Sequence, residues 1–269
     1  MSSQQAKQDA KRWTDVRYDI DSGFGSRAHI GMVVIANDQS LSHEARAMLT
    51  VPGVALYESR IPASRERNQP VTLDGMTKQA DNLDESLRLI NTMRPSDVVA
   101  LGCTSAAMAI GPKELARRIG NVHPGAKVTN PFTAILSALR ALRSRRVGYV
   151  SPYSREVAER MIGEIEAAGF EVPTVSTFHN EDGCVADDAP FISPKSISGA
   201  VRQVAERADV DTIVIACTQM RAAAVIDELE RQTGKSIISS NQALCWHALR
   251  LAECHDVLHG WGRLFEAQL

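Results

Sequence analysis

The sequence lacks several features that mark particular classes of protein. Its 30 lysine and arginine residues nearly balance its 32 aspartate and glutamate residues, so it has no basic field for nucleic acid. No apolar run approaches the roughly 20 residues of a membrane-spanning helix, and the polar residues 1–27 contain no secretory signal. We therefore expect a cytoplasmic protein that binds neither nucleic acid nor a membrane.

Cysteine is scarce, and the five cysteines are scattered along the chain. They form no CxxC pair and no zinc spacing, and their odd number argues for reduced thiols. The histidines also lack a metal spacing, and no GxGxxG or P-loop pattern occurs. We expect no metal and no nucleotide cofactor.

One stretch of the chain occurs twice, as residues 97–105 and 211–219. Each copy begins with Asp, continues as an apolar segment of strand length and ends in Cys-Thr followed by a polar residue. Such an unbroken apolar run is typical of a parallel strand covered on both faces. The cysteines, Cys103 and Cys217, lie 114 residues apart (217 − 103).

A second echo supports a duplication of the whole fold. Residues 128–134 resemble residues 237–243, and Asn130 and Asn241 lie 111 residues apart (241 − 130). From His29 onward, strand patterns alternate with helical patterns, which indicates parallel α/β architecture. We predict an α/β fold of two pseudo-symmetric lobes, each a parallel four-stranded sheet flanked by helices, with the active site in the cleft between them.

The same patterns predict the division of the chain and some individual elements. The predicted parts are an N-terminal arm (1–27), a first lobe (28–127 plus 242–269) and a second lobe (128–241). The periodicity also predicts partial helix around residues 6–16, one long helix over 74–93, and a helix over 220–232 soon after the second cysteine.

Both cysteines lie where a predicted strand gives way to a helix. Open α/β sheets bind ligands outside the carboxyl ends of their strands. The start of the following helix favours a thiolate and a substrate carboxylate through its free N–H groups and its dipole. A single cysteine is more often inert core, but the repetition of the motif favours a functional pair.

Five segments together resemble the aspartate/glutamate racemase superfamily. They are the paired Cys-Thr strand ends, residues 30–34, residues 148–153 and the Ser-Ser-Asn-Gln-Ala-Leu run at 239–244. Within the superfamily they are most similar to the branch of maleate cis–trans isomerases, arylmalonate decarboxylases and ectoine-utilisation proteins. The resemblance covers roughly residues 28–265. It implies an enzyme without a cofactor that activates a carbon next to a carboxylate.

The resemblance gives Cys103 and Cys217 catalytic roles on opposite faces of the substrate. In a racemase, one thiolate removes the α-proton and the other thiol returns a proton to the opposite face. In a maleate isomerase, the first thiolate adds to the double bond, rotation follows, and elimination completes the reaction. Decarboxylases of the branch keep only the second cysteine, so the presence of Cys103 argues against that reaction.

Polar residues near the strand ends are the candidates for substrate binding. They are Asp38, Gln39, Thr104, Ser105, Tyr153, Thr218, Gln219, Ser240 and Asn241. Several would offer donors of the oxyanion-hole kind. Tyr153 matches a family tyrosine that can donate to a substrate carboxylate, although a solvated tyrosine at a helix start fits equally well. Ser240 and Asn241 fit either the cleft or an N-cap of the last helix.

The charge of Asp38 distinguishes between two classes of possible substrate, plain dicarboxylates and acids that also carry a nitrogen group. Maleate isomerases have Asn in this loop, and an ionised Asp would repel a dicarboxylate. A substrate with an amino or amidine group suits Asp38 better, which favours the ectoine-utilisation type. The alternative is that Asp38 only caps the helix that begins near Leu41.

These observations predict a cofactor-independent isomerase, either a racemase or a cis–trans isomerase, that acts on a small carboxylic acid. We expect it to form a homo-oligomer, as members of the superfamily often do. A maleate cis–trans isomerase proper and a non-catalytic binder of small carboxylates are the alternatives. Thiols at both strand ends favour an enzyme, because a binder has no need for two.

Overall fold

The structure is a computed structural model that describes residues 12–66, 69, 71–90, 92–179 and 186–269. These ranges contain two parallel four-stranded sheets with the same strand order, β2-β1-β3-β4 and β6-β5-β7-β8. The first sheet contains β1 (Ala28–Ile35), β2 (Val54–Ile61), β3 (Val98–Gly102) and β4 (Lys127–Thr129). The second contains β5 (Arg146–Ser151), β6 (Glu171–Thr177), β7 (Thr212–Ile215) and β8 (Ser236–Ser239). The predicted fold is confirmed.

Helices connect and cover the strands. In the first half of the chain they are α1 (Leu41–Met48), α2 (Leu73–Lys78), α3 (Leu83–Arg88), α4 (Thr104–Ile110), α5 (Pro112–Val122) and α6 (Pro131–Ala141). In the second half they are α7 (Arg155–Ala167), α8 (Pro194–Ala205), α9 (Ile226–Thr233) and α10 (Ser240–Leu251). Short 3-10 turns span Ala186–Phe191, Ala223–Val225 and Arg263–Glu266. No helix in the described ranges has the length and apolar character that crossing a bilayer requires.

The central strands are buried because helices cover both faces of each sheet. All residues of β1, β3 and β7 are buried, which explains their unbroken apolar sequences. Gly31 and Gly148 occupy equivalent places on β1 and β5. A Cβ atom at Gly31 would lie 2.7 Å from the Ile90 side chain, and one at Gly148 would lie 2.2 Å from the Val204 side chain. Glycine therefore allows the close approach of the covering segment in both lobes.

The aspartate that opens each repeated motif has the same structural role in both lobes. Asp97 Oδ2 accepts a hydrogen bond from the His29 backbone N–H at 2.7 Å. Asp211 Oδ2 accepts bonds from the backbone N–H groups of Arg145 and Arg146, both at 2.9 Å. Each carboxylate thus ties the start of its strand to the start of the neighbouring central strand.

The last helix links the two halves of the molecule. α10 follows β8 of the second sheet but packs on α1, β3 and β4 of the first lobe and on α6. The predicted lobe boundary at 127/128 falls inside β4, which pairs with β3. The first sheet therefore continues to Thr129.

The predicted long helix over 74–93 is wrong, because the segment forms α2 and α3 with a break between them. At the break, the Gln79 side chain accepts a bond from the Ser64 N–H at 2.9 Å and donates to the Pro62 carbonyl. Asp81 and Asn82 follow, and such residues favour turns over helix interiors.

The helix predicted over 220–232 is also wrong at its start, since α9 begins at Ile226. The intervening residues form turns. Of the arm predicted to be partly helical, residues 1–11 lie outside the described part of the chain, and residues 13–16 are not helical.

Candidate active site

A cavity of about 490 Å³ lies where the carboxyl ends of the two sheets meet. Cys103 and Cys217 both line it, so the repeated strand ends face a common space. Of the predicted substrate-binding residues, the cavity lining includes Asp38, Ser105, Tyr153, Thr218 and Gln219. This volume is within the range of small-molecule sites.

Cys103 is the N-cap residue of α4 and has extended backbone angles, φ −152° and ψ 121°. Its Sγ lies 3.8 Å from Ser105 Oγ. Burial raises the pKa of the Cys103 thiol, while hydrogen bonds from the backbone N–H groups of Ala106 and Ser105 act in the opposite direction. The pKa of Cys103 is therefore raised, but by less than burial alone would raise it, because the N–H groups at the start of α4 favour the thiolate.

Cys217 has a backbone φ of +109°, which is unusual for a residue other than glycine. Its N–H donates to Ser240 Oγ at 3.0 Å, and the same oxygen accepts a bond from Thr104 Oγ1 at 2.9 Å. Burial raises the pKa of the Cys217 thiol to about 12, although hydrogen bonds from the Gln219 N–H and from Tyr153 oppose the shift. Cys217 is therefore a protonated thiol at neutral pH.

Tyr153 lies in the cavity and not in solvent. It follows β5 and is 8% exposed, and its hydroxyl is hydrogen-bonded to the Cys217 thiol. Burial raises the pKa of this phenol well above its ordinary value, so it is a neutral donor. Its predicted contact with a substrate carboxylate stays a prediction.

Asp38 caps the first helix and also contacts the second lobe. Its Oδ1 accepts bonds from the backbone N–H groups of Ser40 and Leu41, both at 2.8 Å. Its Oδ2 accepts a bond from Thr218 Oγ1 at 2.7 Å. The capping role is therefore real, and the same carboxylate fixes a residue next to Cys217.

The other predicted residues lie outside the cavity lining. Gln39 is exposed, whereas Thr104, Ser240 and Asn241 are buried behind the cysteines. The N-cap of α10 is Ser239, whose Oγ accepts a bond from the Gln242 N–H within a capping box. Thr104 and Ser240 bond to each other and hold the Cys217 backbone, and a substrate contact for them stays a prediction.

Sequence reasoning missed the first-lobe segment that forms one wall of the cavity. This wall includes Ser64, Arg65, Val71, Met76 and Gln79. Arg65 donates to both oxygens of Asp187 in the second lobe, at 2.7 and 3.2 Å. A signal was present, because this segment follows the carboxyl end of β2, where open α/β sheets place their ligands.

In the described part of the chain, the remaining cysteines and histidines do not line the cavity. Cys245 and Cys254 are buried elsewhere, and Cys184 lies outside the described residues. His247 is a core residue whose Nδ1 lies 2.7 Å from Thr129 Oγ1, and burial lowers its pKa to about 4. Within the described ranges, no group of three His, Cys, Asp or Glu residues forms a metal site.

Known proteins resemble this chain in both sequence and structure. The arylmalonate decarboxylase family matches residues 69–265. A maleate isomerase of Nocardia farcinica is 26% identical over 248 residues, which cover 87% of this chain and 94% of that protein. The arylmalonate decarboxylase of Bordetella bronchiseptica is 32% identical over 143 residues, which cover 53% of this chain and 59% of that protein.

A solved structure shares the fold. The Nocardia farcinica maleate cis-trans isomerase bound to TRIS superimposes with a TM-score of 0.78 and 23% sequence identity. The superposition covers 89% of this chain and 98% of that one.

Proposed function

The chain belongs to the arylmalonate decarboxylase family, and we propose that it is a cofactor-independent isomerase that acts on the carbon next to a carboxylate through Cys103 and Cys217. The match agrees with the predicted branch of the aspartate/glutamate racemase superfamily, which is thereby confirmed. Its relatives in this branch include maleate isomerases and an arylmalonate decarboxylase, so the chain is an enzyme.

One observation carries the choice of an isomerase: two cysteines line the same cavity, one from each lobe. The resemblance implies that a decarboxylase of this branch keeps only the second cysteine. Isomerisation needs two groups, because one must attack or deprotonate the substrate while the other supplies a proton. The presence of Cys103 at the start of α4 supports the two-thiol reaction.

In a cis–trans isomerisation, Cys103 would act as the nucleophile and Cys217 as the proton donor. The Cys103 thiolate forms an S–C bond to one alkene carbon, and the π electron pair takes the proton from the Cys217 thiol at the other carbon. Rotation about the resulting single bond follows. Cys217 then takes the proton back, the double bond re-forms and Cys103 leaves. A Cys-to-Ser mutant of the Nocardia farcinica isomerase was solved with a covalently bound succinylcysteine intermediate, which supports this course by analogy.

The experiment is turnover of small acids in heavy water, followed by mass spectrometry of the protein. The panel contains maleate, other cis-unsaturated diacids and chiral α-amino acids. An isomerase should convert at least one acid, and Cys103→Ser and Cys217→Ser should each abolish conversion. Cys254→Ser is the matched control, since Cys254 is buried outside the cavity and a serine there can still donate to the Ala252 carbonyl. No conversion of any acid, with unchanged ligand binding in both serine variants, would favour the non-catalytic binder.

A second candidate is a racemase of the ectoine-utilisation type, and Asp38 is the observation that favours it. This carboxylate lines the cavity, and its negative charge would attract a cationic ligand nitrogen. Asp38→Asn should then weaken binding of amino-bearing acids and leave or improve binding of plain diacids. An equal effect on both ligand classes would leave Asp38 with its capping and Thr218 contacts alone. In a racemase, deuterium should also appear at the α-carbon.

A further inference from the structure

Glu44 belongs to the first lobe but bonds to segments next to the second-lobe cysteine. It lies on α1 and is 8% exposed. Its Oε1 accepts a bond from the Ala223 backbone N–H at 3.0 Å, and its Oε2 accepts one from Asn241 Nδ2 at 2.7 Å. Ala223 lies six residues after Cys217 (223 − 217), and Asn241 lies in the first turn of α10. A buried carboxylate is retained where its acceptor capacity is used.

Asn241 carries the contact from Glu44 to the cysteine segment. The second hydrogen of its Nδ2 group goes to the Thr218 carbonyl at 2.8 Å. Both partners of Nδ2 are acceptors, so the orientation of this amide is fixed by its neighbours. The carbonyl that Asn241 holds belongs to the residue directly after Cys217.

The Cys217 backbone needs such support. At φ +109° a residue with a Cβ is strained, and the conformation persists only where the surroundings impose it. Ser240 holds the Cys217 N–H, and Asn241 holds the next carbonyl. Neighbouring residues of α10 therefore fix both sides of the strained residue, and Glu44 orients one of them.

We infer that Glu44 is a positioning residue for Cys217: through Asn241, the first lobe holds the second-lobe thiol in its strained backbone conformation. The inference rests on the proposed function for its kinetic consequence. Its structural consequence, the placement of the Cys217 thiol, does not depend on which acid is the substrate.

Glu230 provides a matched control for a carboxylate that is only structural. It is 3% exposed, and it accepts bonds from the backbone N–H groups of Ile237 at 2.9 Å and Arg263 at 2.7 Å. Like Glu44 it is a buried acid with two N–H partners, but it does not line or adjoin the cysteine segment. Glu230→Gln should lower the melting temperature and leave kcat within about twofold of wild type.

The first test is a double-mutant cycle on the isomerase reaction. A glutamine at position 44 can accept from one partner only, because its NH₂ group then faces a donor. Glu44→Gln should lower kcat about tenfold or more and change KM little. Asn241→Ala should have a similar effect, and the double variant should be hardly worse than Asn241→Ala, since the two residues act in series. Additive losses, or a loss confined to KM, would contradict the inference.

The second test needs no substrate, so it separates this inference from the proposed function. Each variant is treated with iodoacetamide at fixed pH, and the labelling of every cysteine is followed by mass spectrometry. Released from its strained position, Cys217 should react severalfold faster in Glu44→Gln and in Asn241→Ala, and the Cys103 rate should be unchanged. Glu230→Gln should alter neither rate. An unchanged Cys217 rate, or an equal change at Cys103 and Cys217, would overturn the positioning role even if the enzyme proved to be an isomerase.

Discussion

The two cysteine-bearing strand ends begin with the same sequence motif and end in different structures. After β3, Cys103 is extended and α4 follows at once with Thr104. After β7, Cys217 adopts a φ of +109°, and α9 begins only at Ile226. The threonines that follow the cysteines differ as well: Thr104 donates to Ser240, and Thr218 donates to Asp38. Each threonine bonds across to the other half of the molecule.

A duplicated motif can therefore place two thiols at equivalent strand ends and still give them different backbone conformations and different neighbours. The helix start beside Cys103 supplies N–H groups that favour its thiolate. The Tyr153 phenol is a neighbour of Cys217, and burial raises the pKa of the Cys217 thiol to about 12. Burial raises the pKa of both thiols, and backbone N–H groups oppose the shift at each, so the assignment of Cys103 as nucleophile and Cys217 as proton donor belongs to the proposed function.

The largest expected effect comes from replacing either cysteine. Cys103→Ser and Cys217→Ser should each reduce kcat by roughly a thousandfold or more, because a serine hydroxyl is a far weaker nucleophile and acid at neutral pH. The comparison of the lobes predicts different residual behaviour. Cys217→Ser keeps the nucleophile, so intact-protein mass spectrometry should find an adduct on Cys103, whereas Cys103→Ser should form none. An adduct on Cys217 would reverse the assignment of roles.

The next largest effect concerns two buried titratable groups, whose contributions to stability depend on pH with opposite signs. Burial raises the pKa of Glu44 from 4.5 to about 7, so the stability it contributes is present below pH 4.5 and is lost as pH rises to 7. Burial lowers the pKa of His247 from 6.5 to about 4, so its contribution is present above pH 6.5 and is lost as pH falls to 4. Each amounts to about 3 kcal/mol at most. Between pH 4.5 and 6.5 the two largely cancel.

Variants should separate these two contributions in urea unfolding at pH 5 and pH 7. Glu44→Gln removes the carboxyl, so its free energy of unfolding should rise with pH relative to wild type. His247→Gln should show the reverse, a relative fall of about 2 to 3 kcal/mol over the same interval. Two variants whose stabilities run parallel to wild type at both pH values would show that neither group titrates between folded and unfolded states in this range.

Ser240 tests how far the strained second lobe depends on support. Its Oγ accepts from both the Cys217 N–H and the Thr104 hydroxyl. Ser240→Ala leaves two buried donors without a partner and should cost about 2 kcal/mol of stability. In iodoacetamide labelling, Cys217 should change more than Cys103, because only Cys217 loses a backbone bond. Ser198→Ala, at a buried serine of α8, is the control and should leave both rates unchanged.

Much of the fold followed from the sequence because it depends on local patterns. The apolar segments of β3 and β7 have clear signals in composition. The cysteines came from the repeat of their motif. Hydrophobic periodicity gave wrong helix boundaries where contacts with side chains from distant parts of the chain determine the local structure. The break after α2 depends on contacts of Gln79 with residues 62 and 64, which periodicity does not register.

The site shows the same limit. Nothing in the sequence around Cys217 predicts a positive φ, since the residues that bond to this segment, Ser240 and Asn241, lie on α10. The contacts of Glu44 with Ala223 and Asn241 also have no signal in the sequence, because a glutamate in the first turn of a helix is common and favourable on its own. Both features depend on contacts between residues that are far apart in the chain.

The smallest expected effect lies in the feature that the lobes share most closely, the aspartate at the start of each repeat. Asp97 Oδ2 accepts one backbone N–H, whereas Asp211 Oδ2 accepts two. Both residues are partly open to solvent, so each bond should contribute about 1 kcal/mol or less. Asp211→Ala should therefore lower the free energy of unfolding by about twice as much as Asp97→Ala, and neither should alter cysteine labelling. Equal losses in urea unfolding would mean that the second N–H contact of Asp211 adds nothing, and that the two lobes are held alike at this end although they differ at the cysteines.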